Sequence, residues 1–396
     1  MTRRENNWAV SAGRRAAFKS FAAALAGSPL LLGQQDPFRD HSRIPRLDEL
    51  KTPLDFEPVA FARLTRYNYD YTAYGSDGEF TMRRNREAFD WVRLLPGGIA
   101  SGPVDTSTTV LGVKMAYPIL ISPTAAQVQL HPDGEIAMHQ AAAAASNTPM
   151  ILSTNTSIPV DKVVPAAPSP MWFQLYARED MESNREALDR AQEAGCKAIV
   201  VTIDQQAPVY ERAQHDRNLS GVPVTTRRVS SRQTAANPYR IQETRMFYNW
   251  GMFAQLRAMI KVPMVIKGVI AAEDAKLAVE HGLDAVYVSN HGGRGLDYSP
   301  STLEVLPEIA EAVGGRVPIL FDSGVRRGTD ILKALALGAS AVCLGRMPRW
   351  GLAAYGPQGA QRMLEMMQAE LKQAMMATGR STLGSVNRSL VRTDFP

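Results

Sequence analysis

The chain predicts a (β/α)8 barrel, and three observations carry that prediction: eight short apolar runs rich in β-branched residues, amphipathic helical segments between them, and no glycine fingerprint after the first run. The runs are Ile119–Ser122, Met150–Ser153, Trp172–Tyr176, Ala198–Ile203, Met264–Lys267, Ala285–Ser289, Ile319–Phe321 and Ala341–Leu344. Strands this apolar are covered on both faces. Between them lie segments such as Arg185–Ala194, Glu273–His281 and Thr329–Leu337, apolar at helical spacing and several closing at a glycine. Eight βα units favour a closed barrel over an open doubly wound sheet. The lack of G-x-G-x-x-G after the first strand disfavours the open sheet further.

Taken from the start, residues 1–34 read apart from the rest. Gly13-Arg-Arg-Ala-Ala-Phe-Lys19 precedes the small, apolar run Ser20–Leu32, an order of parts similar to a twin-arginine export signal. A basic tail with a short amphipathic helix is the other reading. The first predicts a periplasmic protein, the second a cytoplasmic one. The apolar run is short for a transmembrane helix.

A polar, aromatic-rich lead-in spans Pro45–Pro96, with Phe56–Leu64 as a helix. Tyr67, Tyr69 and Tyr71 follow at i, i+2 and i+4 and cannot share one helix face, so at least one projects elsewhere. Core packing and a phenol reaching into a pocket both stand as readings. From residue 45 to 396 a single barrel domain is expected, since such barrels often run to this length.

The composition, 45% hydrophobic and 21% charged, is that of an ordinary globular protein with ample core. A net charge of +5 with no basic block interleaved with aromatics excludes a nucleic-acid reader. Two cysteines without metal-type spacing indicate neither a disulfide framework nor a zinc site. Seven Arg against three acidic residues fall between Ala207 and Asn249. This stretch lacks periodicity, and a lid loop over about 205–249, without membrane insertion, is expected.

The ends of the runs carry the polar groups: Pro123-Thr-Ala125, Ser153-Thr-Asn155, Gln174-Leu-Tyr176, Thr202-Ile-Asp204, Lys267, Ser289-Asn-His291, Asp322-Ser-Gly324 and Gly345-Arg346. In a barrel these ends share one rim. So many polar groups at one mouth call for a large polar ligand. His291, set between a strand and a glycine pair with Arg294 three residues on, is suited to proton transfer beside an anion. Gly324-Val-Arg-Arg-Gly-Thr-Asp330 and Gly345-Arg346 combine backbone N–H groups, a helix start and guanidiniums, as a phosphate needs. Lys267 sets a cation where a conjugated ring becomes anionic on reduction. A flavin mononucleotide meets both demands.

These motifs, with Tyr69-Asp-Tyr71, Phe173-Gln-Leu-Tyr176, Lys267-Gly-Val269, Ser289-Asn-His-Gly-Gly-Arg294, Asp322-Ser-Gly-Val-Arg-Arg-Gly328 and Leu344-Gly-Arg346, resemble the FMN-dependent α-hydroxy-acid oxidase and dehydrogenase family from about Pro45 onward. The resemblance implies His291 as active-site base, with Asp204 holding its imidazole. It implies Arg294 and Arg212 as a clamp on the substrate carboxylate, with Tyr71 and Tyr176 as hydrogen-bond donors to substrate. Lys267 would sit beside the flavin edge. Pro123, Thr124 and Ala125 would lie against the ring, Ser153, Gln174, Thr202 and Ser289 along its polar edge and tail, and Asp322, Gly324, Arg326, Gly345 and Arg346 at ribityl and phosphate. A homo-oligomer, tetrameric by family analogy, is implied too.

The implied reaction takes two electrons from an L-2-hydroxy acid, lactate- or glycolate-like, to FMN. Oxygen as acceptor would give hydrogen peroxide, and Ala125 in place of glycine leans toward such an oxidase. A quinone- or cytochrome-linked dehydrogenase and a lactate monooxygenase are the nearer alternatives. An FMN-dependent isomerase and a non-catalytic barrel are the remote ones. Three departures bear on specificity: Asn155 stands where glycolate-oxidase-type members carry an aromatic, Gly295 where many carry Gln, and Asp204–Arg212 aligns only with one extra residue.

Overall fold

Residues 43–97, 102–205 and 248–396 are described by a computed structural model. The expected leader at 1–34, Arg212 and nearly all of the expected lid lie outside them. Residues 43–49 contain a 3-10 turn, Leu47–Glu49, with Arg43 ion-paired to Glu49 at 2.7 Å. Residues from Leu50 on form a separate compact unit.

That unit is built on eight parallel strands: β1 (Ile119–Ile121), β2 (Met150–Ser153), β3 (Met171–Leu175), β4 (Ile199–Thr202), β5 (Met264–Val269), β6 (Ala285–Val288), β7 (Ile319–Phe321) and β8 (Ala341–Leu344). They pair in sequence order and close, β8 against β1, through Val342 opposite Ile119 and Leu344 opposite Ile121. All eight expected runs are barrel strands, three with the expected ends and the others displaced by no more than two residues. The two-residue period of a strand sorts the apolar side chains. In β6, Ala285 and Tyr287 join an interior cluster with Leu120, Ile151, Trp172, Val200, Val265, Leu320 and Cys343, whereas Val286 and Val288 are buried outside that cluster.

Helices α1 (Phe56–Arg63), α2 (Arg66–Ala73) and α3 (Phe80–Glu87) form the lead-in. Thr65 caps α2 by accepting the Asn68 N–H. The three tyrosines of α2 diverge as their spacing demands: Tyr67 is buried, Tyr69 stacks on Trp350 with centroids 5.2 Å apart, and Tyr71 faces the rim. The later helices of eight residues or more are α4 (Gly134–Ala144), α5 (Met181–Glu193), α6 (Trp250–Arg257), α7 (Ala272–Glu280), α8 (Thr302–Val313), α9 (Gly328–Ala336) and α10 (Arg346–Ala377). Ser301 and Glu304 form a capping box at the start of α8. Helix α10 bends at Tyr355 and Gly356, just before Pro357, and packs on α1 and α4. No helix among the described residues is long and apolar enough to cross a membrane.

Candidate active site

The loop after β6 turns back on itself at His291, whose φ of 59° is left-handed and rare for a side chain of this size. Its N–H donates to the Ser289 hydroxyl at 3.1 Å, which fixes the turn. The imidazole Nδ1 lies 2.7 Å from Asp204 Oδ1. A carboxylate only accepts, so Nδ1 carries the proton and Nε2 keeps its lone pair. The Tyr176 hydroxyl stands 3.3 Å from Nε2.

Lys267, ending the regular part of β5, donates to Asp204 Oδ2 at 3.1 Å. Its ammonium is also 3.3 Å from His291 Nδ1. With the Nδ1 proton aimed at Asp204, that approach is a charge beside the ring and not a second hydrogen bond. Gly268 makes the arrangement possible: its φ is +108°, the ladder slips between Lys267 and Val269, and a Cβ there would meet Asp204 Cβ at 2.6 Å.

Burial opposes the charge on Asp204, but the His291 ring and the Lys267 ammonium outweigh it and hold the carboxyl at about 2. His291 is pushed below the ordinary imidazole value, first by burial and then by Lys267 and Arg294, against the pull of Asp204. It is therefore a neutral base at pH 7.

Around this cluster opens a cavity of about 1040 Å³, its mouth included, lined by Tyr71, Pro123, Thr124, Ala125, Ser153, Tyr176, Lys267, His291, Arg294, Asp322, Gly324, Arg326, Gly345 and Arg346. Three expected cofactor contacts sit beneath that lining. Gln174 accepts from Ser153 Oγ at 3.1 Å and donates to Thr202 Oγ1 at 2.9 Å, and Ser289 is fully buried. Arg212 falls outside the described residues.

The arginines do more than line the cavity. Carbonyls in the last turn of a helix lack partners within it. At the end of α2, Arg294 Nη1 donates to the carbonyls of Tyr71 and Tyr74 at 2.6 and 2.9 Å, and Arg346 donates to those of Thr72 and Tyr74 at 2.9 and 3.2 Å. The spacing in the sequence did not reveal this second use. Neither Arg326 nor Arg346 is ion-paired to a carboxylate of the described residues. Burial pushes both guanidiniums down, with Arg326 and Arg294 adding to the effect on Arg346, which falls to about 9. Two partly buried cations, neither ion-paired to an acid among the described residues, favour an anionic ligand. Asp322 accepts from the Tyr287 and Ser323 hydroxyls at 2.7 and 2.8 Å.

These residues fit a flavin mononucleotide, with guanidiniums for its phosphate, polar side chains for its ribityl chain and Lys267 for its ring. Sequence reasoning overlooked Thr72, Cys343 and Arg349 as parts of the site, all of which line the cavity. Only the three-residue spacing of Arg346 and Arg349 on one helix face signalled any of them.

A family model described as "FMN-dependent dehydrogenase" matches residues 60–393. Glycolate oxidase 3 of Arabidopsis thaliana is 37% identical over 361 residues, covering 88% of this chain and 97% of its own. Glycolate oxidase of Spinacia oleracea is 36% identical with the same coverage. A crystal structure of mandelate oxidase is similar at a TM-score of 0.79 and 34% identity, over 87% of this chain and 98% of its own. The barrel, the cavity and these likenesses agree, and the chain belongs to the FMN-dependent dehydrogenase family.

Proposed function

We propose that the protein oxidises an L-2-hydroxy acid to the 2-oxo acid, with FMN taking the two electrons and oxygen receiving them as hydrogen peroxide. The observation that carries the reading is the neutral His291 on the cavity wall, with Nε2 facing the Tyr176 hydroxyl and Nδ1 held by Asp204 at 2.7 Å. Similarity to glycolate oxidases, to a peroxisomal (S)-2-hydroxyacid oxidase of Arabidopsis thaliana and to mandelate oxidase supports the substrate class.

Arg294 and Tyr71, with Arg212, hold the substrate carboxylate, for which a guanidinium fork is the matching donor. The substrate hydroxyl then meets Nε2 in place of the Tyr176 hydroxyl. His291 takes one proton, whether from the hydroxyl or the α-carbon, and Asp204 stabilises the imidazolium. Tyr176 turns its hydroxyl to the substrate oxygen, and Lys267 offers a cation to a ring that gains negative charge. Bound FMN supplies the two-electron acceptor.

The test is anaerobic. The chromophore is released from one sample of the purified protein for identification, and L-lactate, glycolate and mandelate are screened against a second, intact sample for loss of absorbance near roughly 450 nm, as flavins of this class show. His291→Ala is expected to keep its flavin and lose bleaching; unchanged bleaching overturns the assignment. Rapid reoxidation by air separates the oxidase from a quinone- or cytochrome-linked dehydrogenase. The proposal extends to a homo-oligomer, read by solution scattering.

A further inference from the structure

Arg349 lies one helical turn after Arg346 on α10 and points the same way. Its side chain lines the cavity although the residue is only 3% exposed. Nε and Nη2 donate to Thr72 Oγ1 at 3.1 and 2.9 Å, and Nη1 donates to the Ala125 carbonyl at 2.7 Å. No carboxylate of the described residues is ion-paired with it. Buried arginines ordinarily have such a partner, because an isolated charge is expensive to desolvate. Burial lowers its affinity for a proton and Arg294 adds to that, while Tyr71 and Glu135 pull the other way, and the guanidinium stays charged with a value of about 10.

Its neighbours are the groups that matter for the reaction. The guanidinium carbon is 5.6 Å from the centre of the Tyr71 ring, and that of Arg294 is 5.0 Å from the same centre. One phenol is thus gripped by two cations. Ala125, whose carbonyl Arg349 holds, ends the Pro123–Ala125 segment on the cavity wall.

We propose that Arg349 is a positioning residue whose charge, ion-paired with no carboxylate of the described residues, strengthens the hold of the pocket on anions, both the reduced flavin and the substrate carboxylate, while its hydrogen bonds fix Thr72 and Ala125. This rests on the flavin chemistry proposed above. A charge acts over the width of the pocket, because a buried pair some 10 Å apart still interacts appreciably at an effective dielectric constant of about 20. Thr72 and Ala125 could be held by a neutral donor as well. The charge therefore serves the ligand.

The experiment compares the flavin-loaded wild type with Arg349→Gln, which can keep a hydrogen bond and loses the charge, and Arg349→Lys, which keeps the charge. Sulfite, an anion that bleaches electron-poor flavins, is titrated into each, and the midpoint potential of the bound flavin is measured. Arg349→Gln is expected to bind sulfite about tenfold more weakly and to lower the potential by about 30 mV, the equivalent of tenfold for a two-electron couple. Arg349→Lys is expected within about threefold of wild type. A Gln variant with wild-type sulfite affinity and potential overturns the proposal, as does a Lys variant as weak as Gln. A melting curve of each loaded protein separates lost packing from lost charge. A wild type that holds no flavin refutes the proposed function and not this inference alone.

Discussion

Asp204→Asn removes one charge and leaves nearly the same volume. In the wild type the carboxylate lies 2.7 Å from His291 Nδ1 and 3.1 Å from Lys267 Nζ, so it neutralises the ammonium at rest and attracts the imidazolium once His291 is protonated. At an effective dielectric constant of about 20, unit charges about 4 Å apart interact by roughly 4 kcal/mol, and the amide dipole recovers a fraction of that. The imidazolium should lose about 3 kcal/mol, or roughly a hundredfold in the rate of flavin reduction. The amide can also present its NH2 to Nδ1 and favour the wrong tautomer, which lowers the rate further. Anaerobic stopped-flow reduction by a 2-hydroxy acid reads the step directly, with flavin content measured first. A loaded variant that reduces within a few-fold of wild type would refute the role of the pair. The pH profile gives a second reading. His291 lies below the ordinary value, so the wild-type rate should hold down to pH 6.5 and fall only as the pH drops through the lowered pKa. Without Asp204, which pulls that pKa up, the fall should come at still lower pH.

Lys267→Met should act in the opposite sense on the same profile, because Lys267 lowers the His291 pKa; the acid limb should move up while reduction slows by roughly a hundredfold from loss of a cation beside the ring. Gly268→Ala should destabilise the fold by about 3 kcal/mol, since the Cβ would stand 2.6 Å from Asp204 Cβ at a φ of +108°. Thermal melting checks it, and an unchanged midpoint would contradict the packing described. Asn155→Phe narrows the cavity wall and should lower kcat/KM for mandelate more than tenfold relative to glycolate; equal effects on both acids would remove Asn155 from the side-chain wall. Stability should also fall in acid. His291 binds its proton less readily folded than unfolded, so its contribution is lost as pH drops through 6.5 and below. Asp204, held at about 2, adds roughly 2 kcal/mol above about pH 4 that is lost as the pH falls toward 2. Melting at stepped pH reads both windows.

The barrel was legible because its signal is local. Each strand, such as Ala285–Val288, is short, apolar over most of its length and bounded by turn residues, and that pattern needs no partner to be recognised. The site divides differently. His291 and Asp204 are 87 residues apart, and no periodicity links them. What joins them is the consecutive parallel pairing of β4, β5 and β6, which puts the ends of β4 and β6 on either side of β5 and brings Lys267 between, so only the resemblance paired them in advance. Arginines were the least legible. Sequence reasoning gave Arg349 no role, and only the packing of α2 against the start of α10 shows it buried with Thr72 and Tyr71. Arg294 was read as a substrate clamp, yet its Nη1 is also bonded to the last carbonyls of α2. A guanidinium with five donors can serve both a helix end and a ligand, and a helix that leaves its final carbonyls open gives it reason to. The same bonds that finish α2 thereby aim Tyr71 at the cavity. In this pocket, closing a helix and building a substrate site are one structural event, and a substitution at Arg294 should disturb the α2 end and carboxylate binding together.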